Sequence, residues 1–293
     1  PRGDAGRGRL DNERVVPIRI GGGGPAYGDP PAFPAGRLDD LLGAFLRRGA
    51  REGQPRETRL HLRDMMIAVL QGAAGADAKP PIQVLGDVDL AAEAIRLTRQ
   101  LGALVDEPEV HGLVALMEIA ASRFGARTGP DGEPILLLDQ NRARWDQLLI
   151  RRGLAALALA ESLGGEPGPY RLQAAIAACH ARARVAEDTD WPRIVALYGA
   201  LAELMPSPVI ELNRAVAVGM ASGPAAALEL VDVLNAEPAL KSYHLLPSVR
   251  GDLLTKLGRH GEARAEFERA AQLARNERER KLLLARAAEA AAK

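Results

Sequence analysis

From Asp87 onward apolar residues recur every three or four positions, the spacing that keeps one face of an α-helix buried. Leu90, Ala94, Leu97, Leu101 and Leu104 form the first such face, with Asp89 placed to cap its helix. Val110, Leu113, Val114 and Met117 form the second. Glu107-Pro108-Glu109 opens that helix with a proline in the first turn and acids at the positive end, and Phe124-Gly125 closes it. A polar loop and a short apolar run over 135–138 follow. Asp139 is placed to cap a third helix that carries Trp145, Leu148 and Leu149 and stops at Gly164-Gly165. Pro167-Gly168-Pro169-Tyr170 starts a fourth helix, from Tyr170 to Ala186, with the seam Leu172, Ile176, Cys179 and Val185. Asp190 caps a fifth, whose buried face is Trp191, Ile194, Tyr198 and Leu201. Pro206 and Pro208 close it. The stretch Val209–Met220 is apolar except for Glu211, Asn213 and Arg214. Gly223-Pro224 then turns the chain into 225–234. Further helices are predicted over 243–257 and 262–274, and 276–293 reads as a charged, solvated capping helix.

Residues 1–85 read differently. Gly and Arg dominate 2–9, and Gly and Pro dominate 21–36, so 1–55 is expected to be poorly ordered. Val15–Ile20 has the character of a strand, and Leu38–Arg48 and Thr58–Gln71 of short amphipathic helices. Gly21-Gly22-Gly23-Gly24 is not a phosphate loop, because Pro25 interrupts it and no Lys-Ser or Lys-Thr follows.

The stretch 188–274 carries a repeat. Gly251, Gly258, Ala263, Phe267 and Ala270 hold the relative spacings of a tetratricopeptide repeat. That repeat needs a small residue where its two helices touch, a Gly at the turn and an aromatic facing the neighbour. Pro247 and Leu254 stand where its Trp and Tyr are usual. Tyr198 and Pro206 match an earlier copy, with Tyr198 69 residues before Phe267, about two periods of a repeat of roughly 34. Gly223 and Pro238 mark a middle copy. The chain therefore reads as all-α in three parts: an atypical segment 1–86, a helical domain 87–187, and tetratricopeptide-like repeats with a capping helix over 188–293.

Composition narrows the function classes. The 293 residues are 47% hydrophobic but only 3% aromatic, so the core must be built from Ala, Leu and Val. The 38 basic and 38 acidic residues balance, and bulk charge points to neither nucleic acid nor membrane. One cysteine, Cys179, fits a reducing cytoplasm, and no apolar run reaches the roughly 18 residues that span a bilayer. The chain opens on Pro1 rather than Met, as expected of a piece of a longer reading frame.

Candidate chemistry is sparse. Cys179 and His180 are adjacent on a helix and point about 100° apart, so they do not form a nucleophile–base pair. The five histidines show no metal-ligand spacing. No cofactor and no catalytic residue is expected. Arg142, Arg144, Trp145 and Asp146 form the most distinctive polar string, read either as a docking edge or as a capped surface helix with Trp145 on the core. Asn213 and Arg214, inside an apolar helix, need partners. Those are a neighbouring helix or a ligand in the repeat groove.

Several strings together carry a resemblance. They are Asp89–Leu97, Glu107–Met117, Leu138–Arg142 with Trp145-Asp146, Gly168-Pro169-Tyr170 with Gln173–Ala178, and Asp188–Trp191. Pro206–Val209 with Leu212–Val218, Tyr243–Leu246 and Leu257–Ala270 continue them. In this order they resemble the C-terminal extension of a group of bacterial extracytoplasmic-function sigma factors that ends in a tetratricopeptide-like domain. The resemblance covers about Val88 to Ala287. It implies a right-handed superhelix of helix pairs and a regulatory, non-catalytic role in transcription initiation. It also implies core RNA polymerase or sigma-factor domains as partners, or another protein in the repeat groove. Residues 1–85 show no polymerase-binding helix and no helix-turn-helix, so direct DNA binding is not expected. The alternative is a free-standing tetratricopeptide scaffold.

Overall fold

The computed structural model describes residues 88–130, 135–274 and 277–292. Among them are ten α-helices and no β-strand. In chain order these are α1 (Val88–Leu104), α2 (Pro108–Ala121), α3 (Gln147–Ser162), α4 (Pro169–Arg182) and α5 (Trp191–Leu204). Then come α6 (Pro208–Ser222), α7 (Pro224–Leu234), α8 (Leu245–Lys256), α9 (His260–Leu273) and α10 (Glu277–Ala291). Each packs on its neighbours in sequence, and α2 also packs on α4 and α6 on α8. The readings of 1–86, including the strand at 15–20 and the helices at 38–48 and 58–71, lie outside the described residues. So do the side chains of Asp89, Leu90, Ala94 and Leu97.

Helix α2 is the centre of the first half. Its predicted face of Val110, Leu113, Val114 and Met117 is buried, but so are His111, Gly112, Ala115, Glu118 and Ile119. A helix covered on every side needs neighbours all round, and α1, α3 and α4 supply them. Close approach depends on small residues. A Cβ on Gly112 would lie 2.8 Å from the Arg171 backbone nitrogen, and one on Gly153 2.6 Å from Ile119. The buried carboxylate of Glu118 meets Arg99 at 2.5 Å.

Remote side chains of opposite charge hold the two ends of α4. At its N-terminus the Glu109 carboxylate accepts the backbone N–H groups of Gly168 (3.1 Å), Tyr170 (2.8 Å) and Arg171 (3.2 Å). At its C-terminus the Arg142 guanidinium donates to the carbonyls of His180 (2.6 Å) and Ala183 (2.8 Å). An anion at the positive end and a cation at the negative end both complement the helix dipole. Burial raises the Glu109 pKa even though three N–H groups and Arg171 favour its charged form.

The predicted helix starts need one revision. Asp139 does not cap α3, which begins eight residues later, at Gln147. Asp146 is the cap, accepting from Leu148 N (2.8 Å) and Leu149 N (3.1 Å), and Trp145 precedes the helix. Both aspartates are cap residues by type, and the 3₁₀ turn at Arg142–Arg144 delays the helix. Helix α4 stops at Arg182 rather than at Ala186, which leaves Val185 49% exposed and outside the expected seam. Asp190 caps α5 through Arg193 N at 3.0 Å, as expected.

In the second half the helices pack as successive hairpins. Gly258 takes a φ of 74°, a conformation that glycine adopts without strain, and so turns α8 into α9. Ala263, Phe267 and Ala270 are fully buried. Phe267 packs where Gly251 leaves room, since a Cβ on Gly251 would sit 2.8 Å from its ring. Full burial of a phenylalanine is worth about 2–3 kcal/mol. Helix α10 is less solvated than expected. It buries Leu283, Ala287 and Ala290, and its Arg286 pairs with the buried Asp252 of α8 while lying 4.6 Å over the Phe267 ring. Apolar packing is continuous from α4 through α5 to α6, because Leu172, Ile176, Ile194, Tyr198, Leu201 and Ala217 share one cluster.

Candidate functional site

Two regions hold the polar residues singled out by the sequence: the loop before α3 and helix α6. In the loop, Arg142 is half-buried. Besides the two carbonyls it donates to Thr189 Oγ1 (3.2 Å), and its Cζ stands 4.9 Å from the Trp145 ring centroid. Trp145 is 4% exposed and packs with Ala126 and Ile150. The expected docking edge is therefore corrected for Arg142, whose two terminal nitrogens bond their own chain, and for Trp145, whose ring is buried. Asp146 is engaged as the α3 cap. Arg144 remains exposed.

Trp145 also contacts the end of α2. Arg123 places its Cζ 5.9 Å from the same ring, and the His180 ring meets Trp191 edge-on at 5.2 Å. Burial, then the charges of Arg123 and Arg142, push the His180 pKa down to about 3, so its imidazole is neutral. Burial raises the Cys179 thiol. A neutral buried histidine beside an unactivated thiol matches the structural reading of that pair. Among the described residues no cluster of His, Cys, Asp or Glu could hold a metal ion. None of the helices described is long and apolar enough to cross a membrane.

On α6, Asn213 is 4% exposed, which corrects its expected role as a ligand-facing residue. A side chain so covered offers a partner no surface. Arg214 is half-buried and bonded to Glu211 one turn earlier, at 2.7 Å. The surface actually offered lies further along, at half-buried Gly219 and Met220 of α6 and exposed Lys256 of α8. Val216, Gly219 and Met220 of α6 face Val249, Asp252, Leu253 and Lys256 of α8 across a shallow, narrow groove of about 10 Å³.

Sequence reasoning missed this groove, although a signal was present. Val216 and Asp252 are 36 residues apart, and so are Met220 and Lys256. The buried contacts behind them repeat at the same interval. Ala215, Ala227, Val231 and Leu234 stand 36 residues before Gly251, Ala263, Phe267 and Ala270. The earlier copy was obscured because Ala replaces Gly and Val replaces the aromatic.

Fold and site thus define an all-α protein of packed helical hairpins with a shallow groove between α6 and α8. Residues 81–161 match a family of unknown function (DUF6596), a stretch that includes Glu109, Arg123, Arg142 and Trp145. An uncharacterized protein of Rhizobium meliloti (strain 1021) is 49% identical over 189 residues, which are 64% of this chain and 44% of that protein. The chain spans less than half the length of this curated relative. No solved structure matches.

Proposed function

We propose that this chain is the regulatory, non-catalytic module of a bacterial extracytoplasmic-function RNA polymerase sigma factor, acting in transcription initiation in the cytoplasm. Its second half is a tetratricopeptide-like superhelix, and the face shared by α6 and α8 is where a protein docks. The occupant is a polymerase-contacting domain of the sigma machinery or core polymerase itself, with no direct contact to DNA. The observation that carries this reading is the 36-residue repetition described above. It supports a stack in which the first helices of successive pairs present equivalent positions to one groove. The ordered strings that resemble the sigma-factor extension support the choice of partner. The long uncharacterized relative, matched over 44% of its length, supports the view that this module works as part of a larger protein.

The test is binding of the full chain to core RNA polymerase and to the isolated polymerase- and promoter-binding regions of a full-length relative. Saturable binding is expected. Met220→Glu and Lys256→Glu should each weaken it at least tenfold, about 1.4 kcal/mol, with far-UV circular dichroism unchanged. A folded chain that binds none of the three overturns the reading in favour of an unrelated scaffold. Binding that ignores both substitutions overturns the groove.

A further inference from the structure

At the foot of α4 three arginines gather with little to balance them. Arg123 comes from the end of α2, Arg127 from the turn after it, and Arg142 from the loop before α3. Arg127 donates to the Ala120 carbonyl at 3.0 Å and lies over Phe124. Arg142 has the carboxylates of Glu187 and Asp188 in its field. Arg123 differs. Among the described residues, the charges that act on it are those of Arg127 and Arg142, both repulsive. With burial they pull its pKa down to about 9. A cation held half-buried against two like charges is costly, and an anion removes that cost.

A second observation points the same way. Three buried nitrogens around this cluster have no hydrogen-bond partner: Trp145 Nε1, Arg142 Nε and His180 Nδ1. The tryptophan is 4% exposed and the histidine 8%. The first two are obligate donors, and a buried donor left unpaired costs about 1–3 kcal/mol. The Arg123 and Arg142 guanidinium groups lie 5.9 and 4.9 Å from the ring that carries the orphan indole N–H. The planar fork of Arg123 matches an oxyanion in two-pronged geometry, and Arg142, whose terminal nitrogens bond the His180 and Ala183 carbonyls and Thr189 Oγ1, adds its Nε–H. Both arginines are half-buried, with exposed Arg144 two residues after Arg142.

We propose that Arg123, Arg142 and the Trp145 indole N–H form a binding site for an oxyanion, a phosphate or carboxylate group. The site is separate from the α6–α8 groove and stands whether or not that groove docks a sigma domain. Bound there, the anion ties the ends of α2 and α4 to the loop before α3.

The experiment titrates the full chain with sodium phosphate at constant ionic strength, with chloride as the reference. It reads tryptophan fluorescence and thermal midpoint. Both tryptophans, Trp145 and Trp191, lie at or beside the cluster. A saturable change is expected, with the dissociation constant raised at least tenfold in Arg123→Gln. Arg123→Lys, which keeps the charge and loses the fork, should fall between them and serves if the glutamine variant does not fold. Parallel titrations with acetate and a glutamate-rich peptide assign the source. Tighter phosphate marks a phosphoryl ligand, and a peptide tighter than acetate at equal carboxylate marks an acidic protein segment. No change beyond that of chloride, or equal binding by the Arg123 variants, overturns the proposal.

Discussion

His180 shows how single residues here serve the fold through burial. Its imidazole titrates at about 3 in the folded chain, against an ordinary value of 6.5. The unfolded chain therefore binds more protons between those two values, and stability rises with pH across that window. The contribution is complete above pH 6.5 and is lost as pH falls toward 3. We expect the wild-type chain to lose roughly 2 kcal/mol more than His180→Gln between pH 7 and pH 5, read from urea midpoints. Equal losses would mean that the imidazole charges freely in the folded state. Neighbouring residues follow the same logic. Cys179 was legible as structural from its helical position, but the neutrality of His180 was not. It is set first by burial and then by the charges of Arg123 and Arg142, which arrive from 57 and 38 positions away in sequence. Asn213 illustrates the opposite limit. Its residue type left a neighbouring helix or a groove ligand open, and only the packing of α6 showed that it is covered.

At the scale of elements, the helix pairs α6–α7 and α8–α9 solve one packing problem with two sets of side chains. In the later pair Gly251 faces Phe267. In the earlier one Ala215 and Val231 take the corresponding positions, so a larger first residue goes with a smaller second one. A methyl group on Gly251 would sit 2.8–3.0 Å from three atoms of the Phe267 ring. Gly251→Ala should then cost about 1–3 kcal/mol through overpacking, measured by denaturant unfolding. Adding Phe267→Leu should recover part of that loss, because the two sites are coupled. Additive effects would show that the ring moves aside without strain. Helix boundaries divide along a similar line. Proline starts and aspartate caps were readable at α2 and α5, where cap and first turn are contiguous. At α3 the cap is Asp146 rather than the expected Asp139, and Asp146 N is tied to the Ser122 carbonyl by a long-range hydrogen bond of 2.8 Å.

Across the whole molecule, contacts run mainly between helices adjacent in sequence, so stability should be distributed along the chain rather than held in one nucleus. Deleting 277–293 removes the cover over Phe267 and takes away Arg286, which pairs with Asp252. Hydrogen exchange of the truncated chain should show lost protection in α8 and α9, with α2 to α4 retaining theirs. A uniform loss along the chain would instead mark a single cooperative unit.

The sequence by itself determined the all-α class, the number and rough limits of the helices from Val88 onward, and the last hairpin with its Gly251, Gly258 and Phe267. These follow from local periodicity, caps and turn residues, which act within a few positions of the chain. Only the tertiary structure decided which polar residues face outward. It committed Arg142 and Glu109 to the two ends of α4, enclosed Asn213 and Trp145, and paired Asp252 with Arg286. It also brought Arg123 and Arg142 to one tryptophan and opened the groove between α6 and α8. Each of these depends on charges and contacts between segments far apart in sequence, and spacing along a single helix carries no record of them.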